Sequence, residues 1–211
     1  MAFEEIDYAP GTCRLTDDVQ ALVDAAEERF DAFYAQQLNK RYPRYIASEP
    51  AQVYAALKWV TERGIAPGER FLEWGSGFGV ATGMAKLLGY DAAGIELRNG
   101  LVEIARDLMD SQSIDAEFIC ASYIPEGYIA YETIGGHDIV PDDSFGHRSE
   151  RGPVYQDDAG LIDIAEVDLF YVYPWPGEQE MMLKLFDAVA ASDAVLITYY
   201  GDQDVCLYRK L

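Results

Sequence analysis

The sequence predicts an α/β protein: a doubly wound, mostly parallel sheet of six or seven strands with helices on both faces and an N-terminal helical extension. Three observations lead there. From Glu69 onward, runs that read as strands alternate with runs that read as helices, the order of parallel strands joined by crossover helices. The runs "DLFYVY" and "AVLITY" are apolar at consecutive positions, as in strands covered on both faces. A glycine turn, "GSGFG" from Gly75 to Gly79, separates the first strand of that alternation from its first helix.

The elements follow in order. Residues 1–16 read as an irregular arm. "TDDVQALVDAAEERFDAFYAQQLNKRY" reads as one long helix. Thr16 suits the N-cap, acids fill the first turn, and Leu22, Ala25, Ala26, Phe30 and Phe33 recur at helical spacing. Lys40, Arg41 and Arg44 form the densest basic cluster, read as the C-terminus of that helix, where positive charge suits the dipole. Pro43 and Pro50 break the pattern, a second helix follows in "EPAQVYAALKWVTERG", and Gly64 stops it. These 64 residues form an extension, or lid, and residues 65–211 the main unit, the two making one compact domain.

In the main unit "ERFLEWG" is a strand, "GVATGMAKLLG" a helix, "DAAGIEL" a strand and "RNGLVEIARDLMDSQ" a helix. "AEFICASYI" is the third strand. After an interruption from about Pro125 to Glu166, "VDLFYVYPW" is a strand, "EQEMMLKLFDAVAAS" a helix, and "AVLITYY" and "DVCLYRKL" are strands. The interruption is rich in Gly, Pro, Asp and Tyr and carries both histidines, His137 and His147, which marks a long loop as functional. Only eleven residues follow "AVLITYY", so the sheet has room for one closing strand there. A missing edge strand invites pairing with a second copy, which leaves monomer and homodimer both open.

Composition narrows the function. The net charge is −21, from 16 basic and 37 acidic residues, a field that repels phosphate backbones and counts against nucleic acid as a partner. No apolar run approaches the roughly 20 residues needed to span a bilayer, and the N-terminus lacks the basic and apolar regions of a signal peptide. The expectation is a cytoplasmic protein without membrane contact. Cys13, Cys120 and Cys206 are far apart, form no metal spacing and, with two histidines, suggest no metal site.

The glycine turn carries the functional signal. A helix N-terminus after such a turn is an anion site, and a dinucleotide is the first ligand to test. The pyrophosphate fingerprint G-x-G-x-x-G fails here, because Val80 follows where a glycine is required and the third glycine comes one place early, at Gly79. Glu73 also stands just before the turn, where an acid is poorly placed for pyrophosphate and well placed for an ammonium group. Glu96 closes the next strand in "GIEL". With those residues in view, "LEWGSGFG" resembles the acid-x-Gly-x-Gly-x-Gly motif of the class I S-adenosylmethionine-dependent methyltransferases, whose sheet is Rossmann-like; the resemblance covers roughly Ile65 to Leu211.

The resemblance implies roles by position. Glu73 and the backbone around Gly75 and Ser76 would hold the methionine end of S-adenosylmethionine, with Gly77 and Gly79 letting the chain pass close. Glu96 would accept both ribose hydroxyls, Leu97 would lie against adenine, and Ala121 and Ser122 would lie near the adenine edge. The family often carries an aspartate at that last place, which this chain lacks. Residues before the first strand often cover the donor in this family, which brings in Tyr45 of "RYPRYIASEP".

The segment after the fourth strand faces the methyl group in the family. Here it reads Tyr173-Pro174-Trp175-Pro176, without the leading Asn or Asp of amine methylators. Tyr173, Pro174 and Trp175 are the candidate acceptor wall. Glu178, Tyr173 and His147 are the candidates for handling a proton, although Glu178 equally suits the start of the next helix. The acceptor expected is a small molecule or a protein side chain methylated on nitrogen or oxygen. The rivals are a non-catalytic S-adenosylmethionine-binding module of the same fold and a nucleotide-dependent oxidoreductase, which the glycine spacing and Glu73 oppose.

Overall fold

Strands that are apolar at every position need cover on both sides, and the computed structural model, which describes residues 2–124, 154–156, 160–201 and 204–211, supplies it. Its elements in chain order are β1 (Phe3–Ile6), α1 (Asp17–Ala35), α2 (Pro50–Arg63), β2 (Arg70–Trp74), α3 (Val80–Leu87), β3 (Asp91–Glu96), α4 (Asn99–Gln112), β4 (Glu117–Cys120), β5 (Val154–Gln156), β6 (Leu161–Asp163), β7 (Leu169–Val172), α5 (Gln179–Val189), β8 (Val195–Tyr199) and β9 (Val205–Lys210). Seven strands form one sheet in the order β1-β9-β8-β7-β2-β3-β4. The five from β8 to β4 are parallel; β9 runs antiparallel to β8, and β1 antiparallel to β9.

The strand pleat sends alternate side chains to opposite faces. Phe71, Leu169, Tyr171, Val195 and Ile197 enter one buried cluster with α1–α4; Leu72, Trp74, Phe170, Val172 and Leu196 enter another with α5. On the first face α2 packs against α3 and reaches β8, while α1 lies across α3 and α4. Gly83 permits that second layer: a Cβ there would come within 2.8 Å of Leu22 and 2.9 Å of Met109. The first 64 residues therefore share a core with the sheet. On the second face the short antiparallel pair β5–β6 accompanies α5, with Tyr155 and Ile164 fully buried. Some of the long interruption is thus ordered strand; His137 and His147 lie outside the described residues. No helix among the described residues is long and apolar enough to cross a membrane.

Two sequence expectations require correction. Residues 3–6 do not belong to an irregular arm; they are the seventh strand, placed on the edge that the short C-terminal segment leaves open. Phe3 to Ile6 pair with Lys210 to Leu207, and the Phe3 ring meets Tyr208 edge-on at 5.4 Å. Asp187, in the last turn of α5, fastens this edge by accepting from the backbone N–H of Ala2 and from Lys210 Nζ, both at 2.7 Å. β9 is therefore not a bare edge, and the ground for dimerisation through it is gone. The first helix is also shorter than expected. It ends at Ala35, Gln37 takes a left-handed conformation, and the basic cluster lies beyond the helix, in a 3-10 turn (Leu38–Lys40) and the segment after it. Thr16 holds the N-cap position of α1 without a side-chain cap bond.

Removing residues 2–7 strips β1 from β9 and exposes a hydrogen-bonding edge. The truncated protein is expected to melt at lower temperature than the full chain and to self-associate on size-exclusion chromatography. Unchanged melting and elution would show that the edge does not depend on this strand.

Candidate functional site

β2 ends at Trp74, and the chain reverses through Gly75–Gly79 into α3. Gly75, Gly77 and Gly79 all have left-handed φ values of 72°, 53° and 74°, which side-chain-bearing residues rarely adopt. The backbone N–H groups of Gly75 and Ser76 both donate to Ile95 O at 2.9 Å, and that of Gly79 to Ser76 O at 2.7 Å. A Cβ on Gly77 would lie 2.5 Å from the Tyr45 ring, and one on Gly79 would strike Phe118, whereas one on Gly75 would meet nothing within 4 Å among the described residues. Of the three glycines, Gly75 is the one that lines the large cavity above the turn.

Two buried carboxylates brace the turn. Glu73 accepts from Thr82 N at 2.9 Å and Thr82 Oγ1 at 2.5 Å, so it caps the N-terminus of α3 from the preceding strand. Burial pushes its pKa up to about 8, against the opposing pull of the Thr82 bonds and with some help from the nearby Glu96. Glu96 accepts from Gly77 N at 3.1 Å on one oxygen and from Arg98 N at 2.9 Å on the other. Burial raises its pKa as well, opposed by those N–H groups and the Arg98 charge. Ser76 also lines the cavity, and its hydroxyl is buried without a hydrogen-bond partner among the described residues. Gly94 makes room for it: a Cβ there would come 2.7 Å from Ser76 Cβ.

A strap over residues 41–48 crosses above this floor. The Tyr45 ring lies on Gly77 and stacks on Phe78 at 4.3 Å, and burial pushes its hydroxyl pKa far above the usual range. Ser48 Oγ and Tyr171 Oη share a hydrogen bond of 2.6 Å. Arg44 pairs with Glu178 and holds its guanidinium carbon 5.0 Å from the centre of the Trp175 ring. Trp175 Nε1 donates back to Arg44 O at 3.1 Å. Strap, glycine turn and the 173–178 segment enclose a cavity of about 980 Å3 at the carboxyl ends of β2, β3 and β7.

Most, but not all, of the expected site residues are thus brought together. Glu73, Gly75, Ser76, Glu96, Leu97 and Tyr45 lie around the cavity, and so do Tyr173, Pro174, Trp175 and Glu178. Gly77 and Gly79 support the turn from behind. Ala121 and Ser122 follow β4 without lining the cavity: Ala121 N donates to Glu96 O, and Ser122 Oγ accepts from Ile124 N. His147 is outside the described residues. Glu178 occupies the N-cap position of α5 but makes no cap bond; its carboxylate goes to Arg44 instead. Arg44, Ser48, Tyr123 and Tyr200 join the site without having been expected there. Arg44 is visible in the sequence only as a member of a basic cluster, and nothing local pairs it with a residue 134 positions away.

The shifted Glu73 makes a stability prediction. Its ordinary pKa is 4.5 and its folded value about 8, so between those values the unfolded chain releases a proton that the folded chain keeps. The contribution to stability is complete below pH 4.5 and is lost as pH rises to about 8. Between pH 5.5 and 8.5 the wild type is expected to lose on the order of 3 kcal/mol more stability than Glu73→Gln, read by urea denaturation. Parallel stability profiles would mean that Glu73 is ionised when buried.

Protein-family models give no match to the chain, and neither do curated proteins. Among solved structures it is similar to a methyltransferase from Geobacter sulfurreducens, at 11% identity and a TM-score of 0.52, over 94% of this chain and 92% of that one. It is also similar to an RNA methyltransferase from Salinibacter ruber in complex with S-adenosyl-L-homocysteine, at 15% identity and a TM-score of 0.48, over 78% of this chain and 92% of that one. A third is an O-methyltransferase from Bacillus cereus, at 12% identity and a TM-score of 0.47, over 88% of this chain and 66% of that one. The likeness to the Geobacter protein runs through nearly all of both chains, and with the observed strand order it shows that this chain shares the Rossmann-like fold of that methyltransferase.

Proposed function

We propose that the protein is an S-adenosylmethionine-dependent methyltransferase that takes its donor in the cavity above Gly75. The observation that carries this is the meeting, at the carboxyl ends of β2 and β3, of two buried carboxylates with a buried hydroxyl that has no partner among the described residues. Open α/β sheets take ligands at that end of their strands, and an orphaned buried hydroxyl is costly unless a ligand or water bonds it.

Each group has a role. Glu73 offers a carboxylate to the donor's ammonium group. The N–H groups of Gly75 and Ser76 are already engaged by Ile95 O, so Ser76 contributes through its hydroxyl. Glu96 accepts backbone N–H groups on both oxygens and keeps acceptor capacity for a ribose hydroxyl. Leu97 gives adenine an apolar surface, and Tyr45 closes the strap over the turn. The bound donor supplies a methyl group activated on a sulfonium. The protein's task is then alignment and exclusion of water. Tyr173, Pro174 and Trp175 shape the acceptor side, and Glu178 there presents a carboxylate to an acceptor atom that must shed a proton. The net charge of −21 favours a small molecule or a protein side chain as acceptor over nucleic acid.

Calorimetric titration with S-adenosylhomocysteine, with NAD in parallel, tests the donor. Binding of the first and not the second is expected, and Glu96→Ala should weaken it by about 1–3 kcal/mol. NAD binding alone would overturn the assignment. Glu73 adds a signature of its own. It holds a proton in the free protein below pH 8, and an incoming ammonium favours the ionised form, so binding releases a proton and tightens as pH rises toward 8. Titrations in buffers of different ionisation enthalpy read that proton directly. Glu73→Gln should abolish the release, and a release that survives the substitution assigns it to another group.

A further inference from the structure

The ion pair that joins the strap to the acceptor wall has an unusual composition. Arg44 lies over the face of Trp175, with 5.0 Å from guanidinium carbon to ring centre, and pairs with Glu178 Oε1. The other carboxylate oxygen, Glu178 Oε2, faces the hydroxyl of Tyr123 at 3.5 Å. An aromatic face beside a carboxylate and a phenol is a receptor for an organic cation, since ring quadrupole and carboxylate both attract positive charge. Arg44 fills that receptor from within the chain.

Arg44 is not fastened there tightly. Its side chain is 39% exposed, so solvent reaches the guanidinium and screens the pair from the Arg44 side. Its backbone is anchored separately, because Trp175 Nε1 donates to Arg44 O. The guanidinium can therefore leave while the strap stays. The surrounding charge also favours a cation. Glu27, Asp31 and Glu96 line the same cavity against Arg41 and Arg98, within a chain of net charge −21. An anionic ligand would have to compete with Glu178 for Arg44 in that field.

We propose that the corner formed by Trp175, Glu178 and Tyr123 binds a guanidinium or ammonium group of the acceptor, and that Arg44 occupies it as an internal stand-in which the acceptor displaces. The acceptor role rests on the methyltransferase assignment; the affinity for a cation does not. A cationic acceptor would then open the strap's side-chain lock, through Arg44, as it binds.

The test uses methylguanidine as cationic probe and benzoate as anionic control, titrated into the full chain with and without saturating S-adenosylhomocysteine. Methylguanidine is expected to bind the wild type weakly and Arg44→Ala about tenfold more tightly, because the competing side chain is gone. Glu178→Gln in the Arg44→Ala background should lose at least tenfold of that affinity. Trp175→Leu, with Arg44 in place, should weaken methylguanidine binding as well, and it keeps the test sound if Arg44→Ala folds poorly. Methylguanidine affinity that is unchanged or lower in well-folded Arg44→Ala overturns the proposal, as does benzoate binding to the wild type that disappears in Arg44→Ala, which would make Arg44 an anion anchor. Failure of S-adenosylhomocysteine to bind while methylguanidine responds as described would remove the methyltransferase assignment and leave the cation site standing. The reverse pattern would remove the cation site alone.

Discussion

The carboxylate of Glu96 holds the functional end of this molecule in shape. It sits at the last position of β3 and reaches sideways to the N–H of Gly77, which would otherwise be an unsatisfied donor in a buried turn. Its other oxygen fastens the start of α4 through Arg98 N. One side chain thus fixes the glycine turn of the first crossover to the strand end of the second. The bond from Gly77 is possible only because the three glycines accept left-handed φ values in so short a span. Leu97, Ser76 and the cavity floor take their positions from that junction.

Glu73, on the neighbouring strand, has the complementary role. Its carboxylate caps α3 through Thr82, but in a buried place that favours its neutral form. A buried acid whose pKa stands near 8 is poised to change its charge when a cation arrives. That combination links the local structure of one helix N-terminus to the chemistry proposed for the cavity. The strap then completes the enclosure, and its contacts with Gly77, Tyr171, Trp175 and Glu178 lie along the carboxyl ends of the adjacent strands β2 and β7.

Legibility in the sequence tracked how local each signal was. The alternation of strands and helices, the double-sided apolar strands and the glycine turn are written in neighbouring residues, and the seven-stranded sheet carries them where expected. The cavity-lining residues near the turn are legible for the same reason, since a strand end and the turn after it place Glu73, Gly75 and Ser76 together. Glu96 needed only the parallel pairing of β2 with β3, which aligns Trp74 with Ile95. By contrast, Phe3–Ile6 is a short run with two acids, and no pattern in it announces a strand; pairing with β9 makes it one. The basic cluster around Pro43 reads as a helix end because charge at a helix C-terminus is a local rule, yet the helix stops at Ala35.

By itself the amino-acid sequence determined the class of fold, the place of the turn and the acids beside it, because hydrophobic period and glycine tolerance act over a few residues. Only the tertiary structure decided what those acids touch, that the N-terminus supplies the missing edge of the sheet, and that Arg44 bridges a strap to an aromatic wall far along the chain. Those are contacts between residues separated by many positions. Their partners are chosen by the way whole elements pack, and no local stretch of sequence contains that choice.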